Sequence, residues 1–130
     1  MRKTFLALAI IAAQPALAVS PAKPEFSCKF ETECADSDCS DSGYSASLYL
    51  SATRPVASGA TVITARLADA SETVALSGMI VDGTKRLFNI ESDAGARLLT
   101  IWPDGAARYV THIADPAMAV SYLGRCEETK

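Results

Sequence analysis

Histidine is almost missing from this 130-residue chain: His112 stands alone, so any imidazole chemistry must run through one side chain on the alternating stretch it shares with Val110. No G-x-S-x-G elbow sets a serine nucleophile beside it. Zinc would need several His or Cys ligands at suitable spacing, and the four cysteines have a better use than metal. No cofactor motif occurs. Basic residues are outnumbered, 12 Lys and Arg against 15 Asp and Glu, which argues against nucleic acid as a partner. Past residue 18 no apolar run approaches the ~18 residues of a membrane-spanning helix, and helical periodicity is nearly absent.

What is present begins with an address. Arg2 and Lys3 precede an unbroken apolar run, Phe5 to Ala13, and Ala16-Leu17-Ala18 supplies the small-x-small pattern of a signal peptidase site. Residues 1-18 are therefore expected to be a signal peptide, 19-24 an extended tail set by Pro21 and Pro24, and 25-130 a single domain. Val19, not cysteine, follows the cut, so no lipid anchor is expected and the mature protein should stay off the membrane. Losing Arg2 and Lys3 leaves ten basic residues against fifteen acidic, a net charge of −5. All four cysteines lie beyond the cut, which predicts a periplasmic or secreted, disulfide-stapled domain.

Alternation of period two dominates the rest. Phe26, Cys28 and Phe30 alternate with Glu25, Ser27, Lys29 and Glu31; Ala46, Leu48 and Leu50 with serines and Tyr49; Ile63, Ala65 and Leu67 form a third set, continued by Val74 and Leu76. Asp82, Asp93, Asp104 and Asp115 recur every eleven residues, each followed closely by Gly or Pro, and read as turns. The pattern predicts about eight strands, at 25-31, 44-51, 60-68, 72-81, 85-91, 96-102, 106-113 and 118-126. Arg54-Pro55 should break the second, Gly78 should bulge the fourth, and Thr32 to Gly43 should be a surface loop. Such an antiparallel meander hides its edges by closing into a small barrel, an all-β fold. Val120, Tyr122, Gly124 and Cys126 share a face, so Cys126 points inward as Cys28 does. That parity pairs Cys28 with Cys126, first strand to last, and leaves Cys34 with Cys39.

In the second half two faces compete for the core. Two- or four-residue turns put Phe88, Ile90, Leu99, Ile101 and Val110 inside; a slip of one residue exchanges them for the set containing Leu98, Thr100, Trp102, Tyr109 and Thr111. With the first set taken as core, Trp102 and Tyr109 become contact-surface candidates. The segment Glu31, Glu33, Asp36, Asp38, Asp41 gathers five carboxylates. Ser40 and Asp41 stand where an EF-hand needs a ligand and a glycine, so no metal site is assigned. Rigid and acidic, the loop suits a cationic partner, with Glu33, Asp36, Asp38 and Asp41 as contacts.

The leader, FSCKFETEC (Phe26 to Cys34) and the closing YLGRC (Tyr122 to Cys126) together resemble small uncharacterised periplasmic proteins of alphaproteobacteria, a resemblance that spans the mature chain and implies no activity. Gly105-Ala106-Ala107-Arg108-Tyr109 is similar to the Gly-x-x-x-Tyr stretch of small-barrel periplasmic lysozyme inhibitors. Asp104 replaces the serine of that family's Ser-Gly pair, and its Trp-Thr-Lys-Gly segment has no counterpart, so no inhibitory residue transfers. The expectation is a soluble periplasmic binding module, not an enzyme, with a basic periplasmic protein as the candidate partner. A small hydrolase using His112 is the rival reading. The exported protein should begin at Val19; an intact mass that retains residues 1-18 or starts elsewhere contradicts the leader assignment.

Overall fold

The computed structural model describes residues 22–91 and 95–130, so the leader, the first half of the extended tail and the Asp93 turn lie outside the described residues. Nine strands follow one another: β1 (Phe26–Ala35), β2 (Asp38–Asp41), β3 (Ser45–Ala57), β4 (Ala60–Ala68), β5 (Thr73–Val81), β6 (Thr84–Glu91), β7 (Gly95–Ile101), β8 (Ala106–Ile113) and β9 (Met118–Glu128). All pairings are antiparallel. β3 to β9 form a meander, β1 lies beside β3, and β1 also pairs with β9, closing eight strands into a ring with β2 attached outside it to β1.

Turn chemistry sets the corners. Asp82 has φ 47° and Gly83 has φ 81°. Two successive positive values are the two-residue hairpin geometry that Asp-Gly favours. Where the ring closes, Cys28 sits directly opposite Cys126 and the two are bonded across 98 residues; Cys34 sits opposite Cys39, likewise bonded. Both expected bridges are therefore present, each as a cross-strand pair.

Four readings of the sequence need correction. The segment after Thr32 is not a loop: β1 continues to Ala35 and turns through Asp36, at φ 52°, into β2. Arg54-Pro55 does not end β3, which runs to Ala57. Pro55 pairs with Thr61 of β4 where, among the described residues, β3 has no partner strand on its other side, so a missing N–H costs no ladder bond there. Gly78 is not bulged, since β4–β5 and β5–β6 pair in unbroken register past it. A Cβ there would collide with the Arg86 carbonyl, which makes it a site of close backbone approach in a sharply coiled sheet. The bulges lie at Phe30/Thr32 of β1 and at Leu50/Ala52 and Pro55/Ala57 of β3.

The fourth correction concerns the core. Glu91 opposite Gly95 leaves three residues between strands, and Ile101 opposite Ala107 leaves five. Odd connections reverse the parity that even turns would give. Leu87, Leu99 and Tyr109 therefore share a row, and Leu87, Leu99, Ile101, Ala107 and Tyr109 are buried while Phe88 and Ile90 face outward, 51% and 77% exposed. Leu99 and Ile101 stay inside as the sequence indicated; Val110 does not.

Two stability measurements check this arrangement. Replacing Cys28 and Cys126 together should cost about 4–5 kcal/mol on the chain-entropy model, against about 2 for Cys34 and Cys39, read as chemical-denaturation midpoints; the reverse order contradicts the staple. Leu87→Ala should destabilise by about 2–5 kcal/mol and Phe88→Ala by under about 1, because only the first opens a cavity.

Candidate functional site

The interior of the ring is apolar through most of its length and becomes polar at one end. Phe30 and Tyr44, which just precedes β3, stack with ring centroids 5.5 Å apart, and Tyr44 lies 4.6 Å from Tyr122 and 6.1 Å from Tyr109. Hydroxyls and charges cap these rings. Tyr44 donates its hydroxyl to Asp69 Oδ2 at 2.9 Å, just beyond β4. Asp69 Oδ1 in turn accepts the Ser71 amide at 2.7 Å, the Ser71 hydroxyl at 2.8 Å and the Glu72 amide at 2.8 Å. One short side chain thus both makes the β4–β5 turn and anchors an interior tyrosine. Glu72 receives Arg97 Nη2 at 3.3 Å on both carboxylate oxygens.

Glu33 joins this group because of the β1 bulge. Alternation from Phe26, Cys28 and Phe30 would turn odd-numbered residues outward; the extra residue resets the parity and places Glu33 directly across from Tyr122.

These surroundings fix protonation states. Burial pushes the Tyr44 hydroxyl far above its ordinary value, and the hydrogen bond to Asp69 and that carboxylate's charge push it further. Burial raises Tyr109 as well, against the opposing effect of Arg97 and a hydrogen bond with Thr111. Tyr122 is raised by burial, then by the charge and hydrogen bond of Glu33. For Asp69 burial alone would raise the carboxyl, but the Ser71 and Glu72 amides and the Ser71 and Tyr44 hydroxyls outweigh it and hold it below the usual range. The end of the ring thus holds three tyrosines kept neutral beside the ionised Asp69.

The residues singled out in the sequence divide between two ends. Asp36 is exposed at the β1–β2 turn, its amide donating to the Ala119 carbonyl at 2.8 Å and its Oδ1 accepting the Ala119 amide at 3.0 Å, so part of its carboxylate is committed to holding the hairpin against β9. Asp38 and Asp41 are exposed on β2. Trp102 is elsewhere. It follows β7 and is 38% exposed. It borders a cleft of about 290 Å³ shared with Phe26, Arg125 and Glu128, at the far end of β9 from the Ala119 that holds Asp36. Tyr109 is 4% exposed inside the aromatic cluster and cannot be a contact residue. Its burial follows from the parity reversal described above. His112 is exposed on the outer face of β8, paired through its backbone with Ala96 and Ala119, and among the described residues its imidazole makes no hydrogen bond or ion pair. Among the described residues no three His, Cys, Asp or Glu side chains converge in a way that could hold a metal ion.

Sequence reasoning missed Tyr44, Asp69, Glu72, Arg97 and Tyr122 as a group. Asp69, two residues before Ser71 and three before Glu72, is the one local signal, a turn-forming Asp; the rest meet only through ring closure. No protein-family model, curated protein or solved structure matches the chain.

The tyrosine environment predicts an alkaline transition. Folded-state values raised above the unfolded ones give a stability that is complete below about pH 10, where unfolded tyrosine ionises, and lost as pH rises toward the folded values. Tyrosinate absorbance should show Tyr44, Tyr109 and Tyr122 ionising only with unfolding; ionisation of all three near pH ~10 in an intact fold contradicts the geometry. Asp69 has the opposite sign. Its contribution is present above the unfolded carboxyl value, is lost as pH falls through the folded one, and should vanish in Asp69→Asn.

Proposed function

We propose that this protein is an exported, non-catalytic binding module that presents one end of its ring to a cationic protein. The observation that carries the reading is the gathering of Asp38 and Asp41, on a hairpin held by the Cys34–Cys39 bridge, at the same end as Glu33, Asp69 and Glu72 with their tyrosine rings. Carboxylates at that end draw a basic surface by long-range attraction, and a hairpin already fixed by a disulfide loses little conformational entropy on binding. Arg97, the cation packed among these groups, is engaged by Glu72. Tyrosine ring edges and hydroxyls add contacts that suit an arginine or lysine side chain. The leader sequence and the two intramolecular disulfides support a periplasmic or secreted location, where the thiols would be oxidised.

The similarity to lysozyme inhibitors makes hen-type lysozyme a suitable basic probe. Its association rate with the immobilised protein should fall steeply from about 20 to about 150 mM salt, and Asp38→Lys with Asp41→Lys should lower the low-salt rate about tenfold while flattening that dependence. Asp36 is left intact because it anchors the hairpin to Ala119. If neither lysozyme nor any basic protein from periplasmic extract binds in a salt-sensitive way, the reading is wrong.

A further inference from the structure

On the outer face of β5, β6 and β7, large apolar side chains stand in water. Met79 and Val81 of β5, Phe88 and Ile90 of β6 and Leu98 of β7 are all exposed. They adjoin one another. Phe88 lies opposite Leu98, Met79 opposite Arg86 and Val81 opposite Thr84, and a groove of ~590 Å³ runs between Met79, Val81, Phe88 and Leu98. A contiguous apolar surface of this kind on a folded domain marks a place where something docks.

Charge and position narrow the occupant. Arg86 and Asp82 both line the groove, one charge of each sign, so the face complements a copy of itself under a two-fold axis. Round the ring, β6 lies four strands from β1 in either direction, which sets this face opposite the side that carries β2 and the acidic hairpin. Two copies meeting through β6 hold their excess negative charge as far apart as the fold allows. A strongly basic partner would instead be drawn to the acidic hairpin, and a strongly acidic one repelled by the chain's net charge of −3.

We infer that the outer face of β5–β7 is a self-association surface through which two copies form a two-fold dimer, with Phe88 and Ile90 entering the groove of the opposite copy. Both acidic hairpins then point away from the interface. The dimer would present two binding ends at once, which raises avidity for a cationic partner bearing several sites without any new contact.

The test is the molar mass in solution, by light scattering and sedimentation equilibrium, of the oxidised protein purified from the exported fraction of cells expressing the full chain. A dimer with a dissociation constant at or below about 10 μM is expected, within reach of an interface of ordinary size. Phe88→Glu and Ile90→Lys, each at an exposed position, should keep the thermal transition within a few degrees and weaken dimerisation at least about a hundredfold. Three results would overturn the inference: a monomeric wild type at about 100 μM, a dimer untouched by either variant, or a monomer that cosediments with phosphatidylethanolamine–phosphatidylglycerol vesicles through the same two side chains.

Discussion

The pairing of β1 with β9, fixed by the Cys28–Cys126 bridge, is the constraint on which the rest of this structure depends. Without it the chain is an open meander with two exposed edges, β1 and β9, and its inward faces have no far wall to pack against. With it, Phe26, Cys28 and Phe30 of the first strand meet Tyr122, Gly124 and Cys126 of the last, and the buried set from Leu48 round to Tyr109 becomes continuous. Gly124 shows how tight the closure is: a Cβ there would run into the Lys29 carbonyl oxygen, so only glycine lets the two backbones approach.

Closure also assembles the polar end of the ring. Glu33 comes from the first strand, Tyr44 precedes the third, Asp69 and Glu72 lie in the turn after the fourth, Arg97 is on the seventh and Tyr122 on the last; no short stretch of sequence contains more than two of them. Their protonation depends on this neighbourhood, since burial and nearby carboxylates keep the tyrosines neutral while turn amides keep Asp69 ionised. Packing and electrostatics meet here. The same aromatic stack that fills the ring positions the hydroxyls at its rim.

Much of the fold is legible in the chain because its signals are local. Strict alternation locates eight of the nine strands, Asp-Gly marks a hairpin, and the inward parity of Cys28 and Cys126 predicts their bond before any pairing is known. What escapes depends on counts that alternation cannot supply. Whether a connection holds an odd or even number of residues decides which face of β6 and β8 is inside, so alternation alone puts Phe88 and Ile90 in the core and Tyr109 on the surface. A single bulge after Phe30 turns Glu33 inward. The acidic hairpin is visible as composition but not as a strand pair, because Asp and Ser carry little strand preference and the disulfide and the Asp36–Ala119 hydrogen bonds supply the order instead.

Residue-resolved amide hydrogen exchange of the oxidised protein, compared with a Cys28→Ala, Cys126→Ala variant, tests most directly whether closure organises the acidic end. Protection at Lys29, Thr32 and Leu123, whose amides face across the β1–β9 pairing, should fall by several orders of magnitude in the variant while β4–β5 amides such as Ala65 and Leu76 fall far less, because the β1–β9 seam opens locally before the meander does. Equal loss at every amide, or none at the seam, would contradict it.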